Sequence, residues 1–209
     1  MIRLAMLVFG LAVVSGVSPH HGRIAHPAQD GAPDSLALLQ KARAAATDML
    51  QSTRQVLMRH LASGGPAVAI AACADSAPLI GRTVAAKHGL QIRRVSDRWR
   101  NAGNIPDPYE KEVLRAFDAL MKEGRLGDQT EHFAIIRTGD RPVARYSKPI
   151  VVQGPCLSCH GTTQSILPAV RDLLRSRYPD DHATGYAAGQ LRGAVSVTIP
   201  VGDPEGRPD

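Results

Sequence analysis

The sequence is poor in aromatic side chains, with one tryptophan (Trp99), four tyrosines and three phenylalanines, 4% of the chain. Aromatic rings usually dominate buried area. A core here is therefore built from Ala, Val, Leu and Ile, or is completed by something that is not protein. Cysteine is scarce, and its number, three, is odd. Disulfide pairing leaves one thiol over, which in an oxidising compartment calls for chemistry beyond a disulfide. Beyond the first residues no stretch reads as apolar enough to cross a bilayer. Basic residues are scattered and no nucleic-acid motif occurs, so nucleic acid is not an expected partner. No internal repeat is visible, which excludes a solenoid.

What is present fits one compact domain with short extensions, since 209 residues rarely make two full domains. A hydrophobic fraction of 44% excludes wholesale disorder. Arg3 followed by the apolar run Leu4 to Val17, with small residues at Ser15, Gly16 and Ser18, reads as an export signal over 1–18. The run falls short of the roughly 20 residues that span a bilayer. The mature chain is expected to be periplasmic, and anchored only if the signal is retained. Without Arg3, 24 basic residues face 19 acidic ones, a surplus suited to steering an acidic partner or to solubility.

Residues 19–34, with His20, His21 and His26 among Gly, Pro and Ala, read as a flexible lead-in. Ser35 to Leu61 has helical spacing, with Leu36, Leu39, Ala42, Ala46 and Leu50 on one stripe. Gly64-Gly65 ends that helix, and Pro66 starts another that Gly89 stops. Pro78 is expected to kink or divide it. Leu90 to Val95 has β character, and Pro108 to Glu123 is a second amphipathic helix. His132 to Arg137 and Val143 to Val152 read as paired strands across a Gly139-Asp140-Arg141-Pro142 turn. A short helix near Ser165 to Arg177 and a last strand, Gly193 to Ile199, follow. Residues 201–209 are expected to be a disordered tail. Helices precede paired strands, so the class is α+β.

Cys156-Leu157-Ser158-Cys159-His160 is the chemical centre of the sequence. Two thiols three positions apart reach the two vinyl groups on one edge of a haem, and the following histidine reaches the iron. Covalent attachment holds the cofactor with few surrounding aromatics. One haem c is therefore expected, on Cys156, Cys159 and His160. The second ring nitrogen of His160 should donate to a carbonyl. Gly161 is read as removing a side chain beside the porphyrin, and Pro155 as stiffening the approach. A redox disulfide would prefer a βαβ setting, and zinc would need two further ligands nearby. For the other iron ligand, Cys73 lies on the stripe Ala69, Cys73, Ala77, Ile80, Val84, among small Ala72, Ala74 and Ala77. The alternative is a buried cysteine acting as a small hydrophobe. Met49, Met58 and Met121 read as core filler, and His60, His88, His132 and His182 are weaker ligand candidates.

Several stretches carry a resemblance: Ala69 to Cys73 with Ala77-Pro78, Arg93 to Ser96, Arg100-Asn101, Asn104, Pro106-Asp107, Glu110, Cys156 to Gly161, Tyr178 to Asp181, Ala183 to Tyr186 and Leu191 to Val197. Together they resemble a family of haem domains found as exported c-type cytochromes and as sensor regions of histidine kinases and chemoreceptors. The likeness covers about Ser35 to Pro200. Ala102 stands where a proline is usual, and Tyr109 where a tryptophan is common. The resemblance implies a PAS-like α+β domain over 35–200, with long N-terminal helices packed on an antiparallel sheet. It also implies iron coordinated by His160 and Cys73.

Arg93, Arg94, Arg98 and Arg100 crowd one polar loop, and haem propionates need cationic or donor partners. Arg100, Asn101 and Asn104 are the expected ones. The alternative is a solvated basic loop, and Arg192 suits either role. A thiolate opposite an imidazole implies a low reduction potential. If that thiolate leaves on reduction, CO or NO can bind. The expected function is a redox or small-gas sensor working through a redox or signalling partner, since no output segment is visible. The alternative is a periplasmic electron carrier. A haem enzyme such as a peroxidase needs an open iron and distal acid/base groups; occupation of both iron positions argues against one, so the chain is not expected to be an enzyme.

Overall fold

The structure, a computed structural model, describes residues 34–139 and 141–202. The expected export signal over 1–18 and residues 19–33 of the expected lead-in lie outside the described residues. Helix α1 spans Ser35–His88 and is two helices in one run. Gly64 (φ −163°, ψ 15°) and Gly65 (φ 72°, ψ −168°) leave helical geometry, and Pro66 restarts it. Asp34 caps the start by accepting from the Leu36 and Ala37 amides, and Gly89 closes the end in the left-handed conformation. Pro78, expected to kink or divide this helix, does not divide it. The backbone there stays helical, and the turn loses one amide donor without opening.

Strands β1 (Gln91–Val95), β2 (His132–Thr138), β3 (Arg141–Val151) and β4 (Leu191–Pro200) form one antiparallel sheet in the order β1-β4-β3-β2. The β2–β3 turn is tighter than expected, because Thr138 pairs with Arg141 and Pro142 already belongs to the strand. Helix α2 (Pro108–Lys122) starts on a capping box in which Asp107 and Glu110 each accept the other's backbone amide. A four-residue helix, α3 (Leu157–His160), and α4 (Pro168–Arg177) lie between β3 and β4.

Strand alternation sorts the two faces of the sheet. Val195, Val197, Ile199, Ala144 and Tyr146 pack against Ala42, Ala45, Ala46, Met49 and Val84 of α1. Val95 and Ala194, on the other face, pack against Val113, Leu114 and Phe117 of α2. Small alanines let α1 lie close to the sheet, so a core with few rings closes well. Val201, expected in the tail, is buried in the α1-side core, and its amide donates to Pro142. The domain thus runs one residue further than the pattern implied.

One expectation changes here. By length and composition α1 is apolar enough to cross a membrane, with an 18-residue window of mean hydropathy 1.3. Alanine raises that mean without bulky side chains. The C-terminal half of α1 instead lines the cleft described next.

Candidate functional site

A cleft of about 490 Å³ lies between the C-terminal half of α1, strand β1 with its following loop, and the Cys156-to-His160 segment. Its size suits a small-molecule ligand, for which roughly 300–1,000 Å³ is usual. Cys73, Cys156, Cys159 and His160 all line it. Arg100, Asn101 and Asn104 do so as well, so every site residue expected from the sequence reaches one wall or another.

The CxxCH segment enters through a 3-10 turn, Gly154–Cys156, with Pro155 inside it, and winds directly into α3. One turn of helix puts residues three apart on the same side, so both thiols face the cleft from adjacent levels. All three cysteines are free; Cys73 and Cys156 are half-buried and Cys159 is buried. His160 is fixed by a hydrogen bond from Nδ1 to the Ala183 carbonyl at 2.6 Å. A carbonyl only accepts, so the proton sits on Nδ1 and the Nε2 lone pair is free. Burial, then the Arg100 and Arg192 cations, hold the His160 pKa well below the ordinary histidine range, against the pull of the Ala183 carbonyl. The ring is a neutral base at pH 7.

The strap Ala183 to Tyr186 completes this mount. The Gly185 amide donates to Gly161 O (2.6 Å) and the Tyr186 amide to His160 O (2.9 Å). The Tyr186 ring stands edge-on to the imidazole, with the Arg98 guanidinium 3.8 Å from its centroid. Gly161 has a different purpose from the one expected. A Cβ there would meet Leu157 O and Ser165 Oγ, each at 2.6 Å, so glycine is needed for the turn to fold onto its own flank.

Cys73 faces the cleft from α1, between Ala69 and Ala77, with Ala74 alongside. The stripe expected for that helix continues out of the cleft, and Val84 and Ile80 join the sheet core. Ala72 is not part of the wall; its carbonyl accepts from Ser76 Oγ at 2.7 Å. Burial pushes the Cys73 thiol pKa up, and Arg94 pulls it partly back. The rival ligands are elsewhere. His88 bonds Asp48, His132 bonds Tyr109 and His182 meets Trp99 edge-on. His60 does not line the cleft. Met58 is 43% exposed, whereas Met49 is core that touches the cleft edge.

The charge of the wall is one-sided. Arg82, Arg93, Arg94, Arg100 and Arg192 line the cleft, and no Asp or Glu does. Arg100 has its own duties: Nε pairs with Asp181 at 3.0 Å, and Nη2 donates to the Cys159 carbonyl at 2.6 Å. Asn101 caps the turn Ala102–Asn104 by accepting from the Gly103 amide, and the Asn104 carbonyl accepts from Ser96. Arg100 is thus engaged within the wall, Asn101 through its side-chain oxygen and Asn104 through its backbone.

Among the described residues, no group of three or more His, Cys, Asp or Glu side chains could hold a metal ion. The three thiols and the imidazole meet in one cleft without forming a metal-holding cluster of their own, so an occupying metal must bring most of its ligands along. A porphyrin does that. The donor set fits it: two thiols at the cleft edge, an imidazole with a free Nε2, a third thiol on another element and a cationic wall for carboxylates.

A family model described as Tll0287-like matches residues 35–200. The chain belongs to the Tll0287-like family. Among solved structures, the Tll0287-like fold recurs in the crystal structure of the cyanobacterial heme-protein Tll0287. That structure is 24% identical, has a TM-score of 0.56, and aligns over 81% of this chain and 97% of its own. No curated protein matches the chain. The likeness at this identity is one of fold, consistent with the PAS-like arrangement the sequence implied. Sequence reasoning missed Arg94 and the Ala183 carbonyl as parts of the site. The first was one arginine among several in a loop; the second is a backbone atom, which no side-chain motif records.

Proposed function

We propose that this Tll0287-like protein is an exported c-type cytochrome-like protein carrying one haem, which Cys156 and Cys159 would hold through thioethers and His160 and Cys73 would hold at the iron. It serves as a redox or small-gas sensor through a separate redox or signalling partner, and not as an enzyme. The observation that carries the reading is the convergence on one acid-free cleft of the CxxCH segment and the Cys73 thiol from α1. The heme-protein of the same fold supports the choice of cofactor.

Bound haem supplies one-electron chemistry and, when ferrous, an affinity for CO or NO. The protein's part is to hold and tune. His160 presents Nε2 while Ala183 keeps Nδ1 protonated and the ring oriented. Cys73, as thiolate, donates charge and favours the oxidised state, which lowers the potential. The alanines beside it allow a flat ring to approach α1.

The test is mass spectrometry with electronic and EPR spectroscopy on protein from a host with working cytochrome maturation. It covers wild type and Cys73→Ser, in both oxidation states, with and without CO. Wild type is expected to carry one haem's extra mass and a low-spin ferric signal. Cys73→Ser should lose that signal and raise the potential by on the order of 100 mV, within the ~0.8 V that axial ligands command. CO binding to the ferrous protein supports the sensor; fast electron exchange without ligand loss would make it a carrier instead. A colourless protein with the mass of bare polypeptide sinks both.

A further inference from the structure

We propose that Arg94 is the anion-binding residue of the cleft and takes a carboxylate of the occupant, with Arg192 beside it as a second donor. The identity of that occupant rests on the haem reading; its carboxylates are the propionates.

Neighbouring residues of β1 point to opposite faces of the sheet. Arg93 goes to the α2 side, where it pairs with Glu110 and donates to the Gly103 carbonyl at 3.1 Å. Arg94, with Ile92, goes to the α1 side and lines the cleft. The other arginines held away from bulk solvent have partners. Arg100 has Asp181, Arg145 has Asp107 and Arg171 has the Thr163 carbonyl. Arg192 Nη1 donates to Ser96 Oγ at 2.8 Å and to Arg98 O at 3.0 Å, and its guanidinium also engages the Tyr186 hydroxyl. Arg94 alone among them makes no hydrogen bond and no ion pair within the described residues. Its charged neighbours are cations, and the other groups it influences are the Cys73 thiol, the Tyr178 phenol and the His160 imidazole.

A half-buried guanidinium whose charged neighbours are cations is stabilised by a counter-charge. The cleft lining contains no Asp or Glu to give it one. The compensation has to arrive with the occupant, and the flat two-donor edge of Arg matches a carboxylate. Arg100, the residue a sequence reading would choose, is already held by Asp181 and the Cys159 carbonyl. The rival anion is the Cys73 thiolate, one charge that an axial bond would already engage.

The test separates carboxylate recognition from folding and from iron ligation. The full chain with Cys156→Ala and Cys159→Ala, which cannot attach haem covalently, is titrated with free haem and with haem dimethyl ester, followed by absorbance. This parent is expected to bind free haem about tenfold more tightly than the ester, the size of one charge-assisted contact. Arg94→Leu should bring that ratio close to one, and Arg94→Lys should keep part of it. Equal affinity of the parent for both ligands overturns the proposal while leaving the haem reading in place, and that comparison needs no Arg94 variant. An unchanged ratio in Arg94→Leu also overturns it. An equal weakening of both ligands, absent in a Cys73→Ser background, would assign Arg94 to the thiolate. A parent that binds neither ligand overturns the proposal, and the haem reading then rests on the mass and spectrum of the wild-type protein.

Discussion

Arg100 touches three oxygens that matter: the Asp181 carboxylate, the Cys159 carbonyl and, at 3.5 Å, the Ala183 carbonyl that also accepts from His160 Nδ1. It is a positioning residue that ties the thiol segment to the strap holding the imidazole. Its side chain and that of Asp181 are 9% and 11% exposed. Removing one partner of a buried pair leaves the other uncompensated, at a cost of roughly 3–5 kcal/mol. Arg100→Gln is therefore expected to lower unfolding free energy by about 3 kcal/mol in urea denaturation. Arg100→Gln with Asp181→Asn should lose less than the two single changes summed. Additive losses would show that the two groups do not act as a pair. Arg100 was visible in the sequence as a donor near the motif, but its partners lie far along the chain and could not be read from spacing.

At the scale of elements, the kink in α1 decides where Cys73 goes. Gly65 adopts φ 72°, ψ −168°, a region almost closed to other residues. A Cβ on Gly64 would meet Val68 Cγ2 at 2.4 Å, so the neighbouring side chain would have to move. Gly65→Ala is expected to cost about 2 kcal/mol, the usual strain at such a position, measured by chemical denaturation. A neutral result would mean that the kink is not held as described. The Gly-Gly-Pro signal was legible, because each residue punctuates a helix for a known steric reason. Pro78 does not divide the helix because a proline within a helix can be tolerated when the surrounding turns are held by packing, and Ile80 and Val84 pack just beyond it.

Across the whole molecule, α1 is tied to the sheet by packing and by one ionic contact. Arg43 donates to both carboxylate oxygens of Glu131, which also accepts from Tyr146 Oη at 3.1 Å. The Arg43 hydrogen bond holds the Glu131 pKa below its ordinary value of 4.5, against the opposing effect of burial, with Tyr146 adding to the lowering. A depressed carboxylate pKa adds stability above the unfolded value and loses it as pH falls through the folded one. Acid titration of unfolding free energy should therefore show a loss below about pH 4.5 that is shallower in Glu131→Gln. Identical acid limbs in the two proteins would remove Glu131 from the account.

The sequence by itself determined the element types, the α+β class and the CxxCH segment, because helical period, strand alternation, glycine stops and motif spacing are all local. It also singled out Cys73, whose stripe of alanines is a local pattern, and family resemblance strengthened that choice. Tertiary structure decided which arginine lacks a partner, which carbonyl orients His160 and why Gly161 must be glycine. Each of those depends on atoms brought together from distant parts of the chain, and a buried charge or an occupied hydrogen bond exists only once the layers have closed around it.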